Sequence, residues 1–252
     1  MIVLGLDTAT AATAVALRVG AGEVVEQRDD PAGGEHPGHA TRLLAMAEEL
    51  LHSRGVAWDE LERVAVGVGP GRFTGLRVGL ATARGLAHSL SCELVGISSL
   101  RALAVAALAG EADGGERPEA VLAMIDARRG EVFAAGYFVS AGEAERMRPH
   151  ELLGPLALAP ERLAGRLAEE PARRWLAVGD GALRYAHALR DAGIEVAPEG
   201  SPVHRVSAAA VCELGALATP ARDREAVLPQ YLRRPDAEIA LGDAPAVGVS
   251  RA

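Results

Sequence analysis

The sequence predicts an α/β protein made of two lobes that arose by internal duplication, each a mixed sheet flanked by helices. Three observations carry this reading. Short runs rich in Val, Leu and Ala alternate with longer stretches of helical period. Two stretches, LGLDTATAATAVAL (4–17) and LAMIDARRGEVFAAGYF (122–138), share one grammar: a strand ending in Asp, a turn, and an outgoing strand. Between them, residues 110–118 combine acids, adjacent glycines and a proline, the composition of a linker. With 252 residues, 49% of them hydrophobic, the chain is long enough to bury such a core.

Taken in order, residues 2–6, 13–19 and 23–27 are three sequential strands, with Asp7-Thr8-Ala9-Thr10 as the tight turn of the first hairpin. A Pro- and Gly-rich loop leads to a helix over 39–54, with Leu43, Leu44, Ala47, Leu50 and Leu51 at helical spacing and Met46 widening the apolar arc. Then follow a buried strand 63–68, a helix 74–90, a strand 93–97 and a helix 99–109. The pattern restarts with a strand 121–125, a turn 126–130 and a strand 131–139. A helix 160–169, a strand 175–178, the turn Gly179-Asp180-Gly181, a helix 182–192, a strand 194–196 and a helix 207–217 complete it. The lobes are thus 1–109 and 119–234, with the helix 207–217 free to return to the first lobe. Residues 235–252 read as a flexible tail.

Composition removes several function classes. All 26 basic residues are arginine, so the Gly-rich run 67–79 lacks the lysine of a P-loop, and Schiff-base chemistry has no amine to use. A formal net charge of -8 argues against a free-standing nucleic-acid binder. Cys92 and Cys212 lie far apart, without metal-ligand or disulfide spacing. The N-terminus opens directly into a strand, so a cytoplasmic protein without membrane association is expected.

The layout resembles the actin, Hsp70 and sugar-kinase superfamily. More specifically, LGLDTATAATAVAL, HATRLLAMAEELL, GVGPGRFTGLRVGLATARGLA, VGISSLRALA, MIDARRGEVFAAGY and PQYLRR fall in the order seen in the TsaB family, formerly called YeaZ. The resemblance implies an actin-like accessory subunit of bacterial tRNA threonylcarbamoyladenosine biosynthesis with no catalytic residues of its own. It further implies a TsaD-like transferase as partner, a TsaE-like ATPase in the assembly, indirect contact with tRNA, and homodimers when the transferase is absent. A small-molecule kinase or ATPase of the same fold and a metallopeptidase are the alternatives.

Candidate sites follow. Asp7, Thr8 and Thr10, with Gly179 and Gly181, match the superfamily's nucleotide-contacting turns, but Arg128 and Arg129 occupy the second hairpin and point to a degenerate site. No bound cofactor is expected, with ATP or ADP at a subunit interface kept open. His36 and His39 stand at H-x-x-H spacing, not the H-x-x-x-H of TsaD, so no metal site is expected. Gly75, Gly79, Ala83 and Ala87 make one ridge of the second helix nearly bare. Such a ridge packs closely either on the protein's own sheet or in a helical bundle with a partner. The second reading nominates His39, Leu43, Met46, Ala47, Leu50, Phe73, Leu76, Gly79, Leu80 and Ala83 as contact residues, because the family places its TsaD interface on these two helices.

Overall fold

The structure is a computed structural model that describes residues 1–32, 35–109, 118, 120–138, 149–168 and 174–233. Apart from residue 118, the linker expected at 110–118 and the tail expected at 235–252 lie outside the described residues.

Two five-stranded sheets share one topology. In the first, β1 (Ile2–Asp7), β2 (Thr13–Val19), β3 (Val25–Asp29), β4 (Arg63–Gly69) and β5 (Glu93–Ser98) take the order β3-β2-β1-β4-β5. The hairpin pairs β1–β2 and β2–β3 are antiparallel, whereas β1–β4 and β4–β5 are parallel. In the second, β6 (Ala120–Arg128), β7 (Glu131–Phe138), β8 (His150–Leu158), β9 (Trp175–Val178) and β10 (Glu195–Val196) repeat the plan as β8-β7-β6-β9-β10. There too the pairs β6–β7 and β7–β8 are antiparallel, and β6–β9 and β9–β10 parallel. Helices complete the parallel crossovers, as βαβ geometry requires. These are α1 (His39–Ser53), α2 (Phe73–Ser89), α4 (Leu163–Leu167), α5 (Asp180–Arg184) and α6 (Ala186–Asp191), while α3 (Ser99–Ala109) lies between the two sheets in sequence and α7 (Ala208–Leu217) follows the last strand.

Sequence and structure differ at several places: the helix expected at 160–169 is a 3-10 turn, Pro160–Arg162, followed by the short α4, and β6 runs on to Arg128 into the expected turn. The third strand runs 25–29 and not 23–27, because pairing continues along β2 as far as Thr13↔Asp29. The helix expected at 182–192 breaks into α5 and α6 around Tyr185. Strand β8 was not foreseen, since Gly154 and Pro155 lie inside it; as an edge strand it tolerates the proline's missing N–H.

One apolar core fills the space between the sheets. Helices α3 and α7 lie in it, so Val3, Ala65 and Val95 of the first sheet, Val121, Ile125 and Phe133 of the second, and Leu103 and Val211 of the helices form one cluster. Helix α7 rests directly on the first sheet: a methyl on Gly5 would overlap Cys212, and one on Gly215 would overlap Ala65. Opposite charges from that sheet hold its two ends. Glu26 accepts from Ser207 Oγ at 2.8 Å and from the backbone N–H groups of Ala208 and Ala209 at 3.2 Å each. Buried Arg63 donates to the carbonyls of Gly215 at 2.6 Å and Ala218 at 2.9 Å while pairing with Glu93. An anion at the N-terminus and a cation at the C-terminus complement the helix dipole.

The bare ridge of α2 is used inside the chain. A methyl on Gly75 would overlap the Thr8 carbonyl and one on Gly79 the Thr8 hydroxyl, whereas Gly85, on the outer face, has open space around it. Gly85→Ala is expected to raise stability by about 0.4–1 kcal/mol, while Gly75→Ala lowers it by about 1–3 kcal/mol or more through overpacking. Urea unfolding of the two variants checks the contrast in sign.

Candidate functional site

The polar atoms of the β1–β2 turn, the phosphate site expected from the sequence resemblance, are already engaged. Asp7 is 2% exposed; its Oδ1 accepts from the Ala9 N–H at 2.9 Å and its Oδ2 from Ser99 Oγ at 2.7 Å. Gly67 on β4 lies so close that any side chain there would overlap the carboxylate. Thr8 is fully buried and its hydroxyl donates to the Gly75 carbonyl at 2.8 Å. Thr10 Oγ1 accepts from the Ala12 N–H at 3.3 Å, an ordinary hydroxyl turn. The loop before α2 closes the turn from outside: Arg72 N–H donates to the Ala9 carbonyl at 2.7 Å, and Gly71 lies against Ala9. Burial raises the Asp7 pKa above its ordinary value, opposed by the hydrogen bonds from Ser99 and Ala9. These residues do not fit a magnesium-bound phosphate, because carboxylate and hydroxyl are spent on joining β1 to α2 and α3.

The second hairpin is shaped by Asp126. Its Oδ1 accepts from the Arg128 N–H at 2.9 Å, and its Oδ2 faces Arg128 Nε at 3.5 Å and Arg184 Nε at 3.7 Å. Arg128, Arg129 and Gly130 take φ values of 65°, 54° and 80°, so two bulky residues occupy left-handed backbone. Gly179 (φ 103°) and Gly181 are not open to a ligand either. A methyl on Gly179 would overlap the Met124 carbonyl, and one on Gly181 would press on the backbone of Ile125 and Asp126. Both glycines serve close packing of α5 on β6.

Of the ten residues nominated for partner contact, nine point into the chain's own core. His39, Leu43, Met46, Ala47, Leu50, Leu76, Leu80 and Ala83 are each at most 5% exposed, and Gly79 is buried. Leu43, Met46, Ala47, Leu50, Leu80 and Ala83 pack with Leu4, Leu6, Val15 and Val66 of the first sheet. Apart from Leu44, the apolar arc read from the sequence is therefore the inward face, as amphipathic helices on a sheet require. Phe73 alone is partly exposed, with the Arg77 guanidinium 3.8 Å above its ring and Tyr231 at 5.1 Å. The outward faces carry Ala40, Thr41, Leu44, Ala45 and Glu48 on α1, and Thr74, Arg77, Ala81, Gly85 and His88 on α2. Leu44 is 48% exposed, a large apolar side chain among small ones.

Between the sheets' turns lies a cleft of about 630 Å³, lined by the starts of α1 and α2, the β6–β7 hairpin and residues 230–233. The segment after α7 reaches it as a strap along the first sheet. The Ala221 N–H donates to the Leu94 carbonyl at 3.1 Å, Arg84 to the Val227 carbonyl at 2.6 Å, and the Gln230 N–H to the Val68 carbonyl at 2.7 Å. Sequence reasoning missed this strap, whose only signal was the motif PQYLRR. His36 and His39 both line the cleft, but among the described residues no group of three His, Cys, Asp or Glu side chains could hold a metal. His39 is buried with Nδ1 at 2.9 Å from Thr13 Oγ1, and burial first, then Arg72, lowers its pKa, with a backbone hydrogen bond to Thr10 and then Asp29 opposing.

Two pH profiles follow. A carboxyl whose folded pKa is raised holds its proton more tightly in the folded state, so the Asp7 contribution falls as pH climbs from 3.8 through the folded pKa and is flat above it. Asp7→Asn keeps the Ala9 N–H bond at its oxygen, reverses the other so that its amide N–H donates to Ser99 Oγ, and removes that decline; a loss of more than about 2 kcal/mol at neutral pH in urea melts contradicts this. A histidine whose folded pKa is lowered gives its full stability above 6.5 and loses it as pH falls through the folded pKa. His39→Gln is expected to flatten that acid limb, as read by melts across the same range.

Comparison with known proteins places this geometry. The family model described as TsaD, tRNA N6-adenosine threonylcarbamoyltransferase, matches residues 23–241. The tRNA threonylcarbamoyladenosine biosynthesis protein TsaB of Escherichia coli (strain K12) is 37% identical over 141 residues, 54% of this chain and 55% of that protein, so the match spans about half of that relative. The TsaB protein of Haemophilus influenzae is 31% identical over 194 residues, 74% of this chain and 75% of that protein. The solved structure of YeaZ from Pseudomonas aeruginosa superposes with a TM-score of 0.73 at 29% identity, covering 92% of this chain and 99% of that one. The family-model match and this span of similarity agree, and the chain belongs to the TsaB (YeaZ) family.

Proposed function

We propose that this chain is a noncatalytic partner and activator of a TsaD-type transferase, which forms N6-threonylcarbamoyladenosine next to the anticodon of tRNAs reading codons that begin with A. The observation that carries the reading is the closed β1–β2 turn: Asp7 and Thr8 are buried and bonded within the chain, so the fold is kept while its phosphate-receiving atoms are used for packing. A kinase or ATPase of this fold needs those atoms free, and a metallopeptidase needs a metal cluster of which the described residues offer none.

The surface that would meet the partner is the outer face of α1 and α2, corrected from the inward residues that the sequence nominated. Ala40, Ala45, Ala81 and Gly85 let another helix approach closely, and Leu44 supplies an apolar anchor among them. The same face would pair two copies when the transferase is absent. A TsaE-like ATPase joins the assembly, tRNA is held through the transferase, and the complex works in the cytoplasm.

Co-expression with a TsaD-like transferase tests this. The two proteins are expected to co-purify, and tRNA modification to fall when this chain is omitted. Leu44→Arg and Ala81→Arg weaken co-purification while changing stability by no more than about 0.5 kcal/mol, since both sites are exposed. Full modification without this chain, together with no co-purification, overturns the proposal.

A further inference from the structure

The strap that follows α7 forms a third ridge beside α1 and α2. It runs along α2 in the opposite direction: the Arg84 guanidinium donates to the carbonyls of Glu225 at 2.9 Å and Val227 at 2.6 Å, and about two turns nearer the start of the helix Arg77 Nε donates to the Tyr231 hydroxyl at 3.2 Å. The sheet supplies the seat. A register shift between Gly67 and Gly69 takes Val68 out of the β4–β5 ladder, and its carbonyl is the one that accepts from the Gln230 N–H. Val227 is 6% exposed in the apolar cluster under α1 and α2, and a methyl on Gly96 of β5 would overlap it.

This seating decides which strap side chains face outward. Val227 has extended backbone, φ -76° and ψ 98°, so the next side chain points the other way. Leu228 is accordingly 65% exposed, level with Ala81 in the middle of α2, and Tyr231, laid against Phe73, is 40% exposed. Among the described residues six large apolar side chains are exposed by 40% or more, and three of them, Leu44, Leu228 and Tyr231, stand on the two ridges that flank α2. Residues 226–232 carry no charge in a chain of which 24% of residues are charged. Arg77, stacked on Phe73, makes no ion pair among the described residues. Aromatic rings beside an arginine, without carboxylates among them, are the composition of an interface core.

We propose that the strap is part of the surface that receives the transferase subunit, Leu228 and Tyr231 meeting an apolar patch of that subunit and Arg77 one of its carboxylates. A helix laid over the small residues Ala81 and Gly85 would be gripped from both sides, by Leu44 on α1 and by Leu228 on the strap. The inference rests on the reading of α1 and α2 as the partner face and adds a ridge which that reading does not contain. Continuity with that face, and a cation lacking its carboxylate, select this occupant.

Calorimetric titration of the full chain with a TsaD-like transferase tests it, comparing Leu228→Asp on the strap, Leu44→Arg on α1 and Leu217→Asp on α7, which lies across the first sheet. Leu228→Asp is expected to weaken binding by about tenfold or more, with an unchanged urea midpoint because the site is exposed. Leu217→Asp leaves affinity unchanged, and Arg77→Gln flattens the fall of affinity with rising salt. Parent-like affinity in Leu228→Asp, with loss in Leu44→Arg, overturns the strap inference and leaves the α1–α2 reading standing. No binding by the parent overturns both. An equal loss in Leu217→Asp, or an effect of Leu228→Asp confined to self-association of this chain, also overturns the strap inference, and a parent-like salt slope in Arg77→Gln overturns the pairing assigned to Arg77.

Discussion

The close approach of α2 to the β1–β2 turn is the contact on which the other features depend. Without side chains at Gly71, Gly75 and Gly79, the start of α2 settles onto Ala9 and Thr8 at distances no Cβ would permit. Glycine inside a helix costs up to about 1 kcal/mol relative to alanine, and the buried Thr8 to Gly75 hydrogen bond and the packing around it offset that cost. The same approach shuts the first hairpin, turns Asp7 into a structural clamp, and aims the free N-terminus of α2 and Arg72 into the cleft.

The second constraint is the core shared between the sheets. With α3 packed between the two sheets, and α7 lying on the first sheet and against α3, pinned by Glu26 at one end and Arg63 at the other, the lobes are joined by packing. In this chain the first hairpin is occupied by its own loop and the second carries two arginines in left-handed backbone.

Much of the fold was legible because its signals are local. Val/Leu/Ala runs bounded by turn residues gave nearly all the strands, and the repeated strand-Asp-turn grammar gave the duplication that the matched sheet orders display. The strand β8 was hidden by Gly154 and Pro155, whose tolerance depends on lying at an edge that only the assembled sheet defines. The candidate site was less legible. Helical periodicity marks an apolar face without saying what covers it, and Leu43, Met46 and Leu50 turned out to cover the chain's own sheet. Leu44, one position along, is exposed, a distinction of one helical step that requires the sheet to be in place. The placement of Arg72 was equally unreadable, because its neighbours in space, Arg128 and His39, are distant in sequence.

Hydrogen–deuterium exchange on the purified chain, alone, with magnesium and ATP, and with a TsaD-like transferase, tests the central claim most directly. A partner subunit with a filled hairpin shows slowed exchange over 40–53 and 73–89 on adding the transferase and none over 7–12 on adding magnesium and ATP. Protection of 7–12 by the nucleotide, with α1 and α2 untouched by the transferase, would contradict the account.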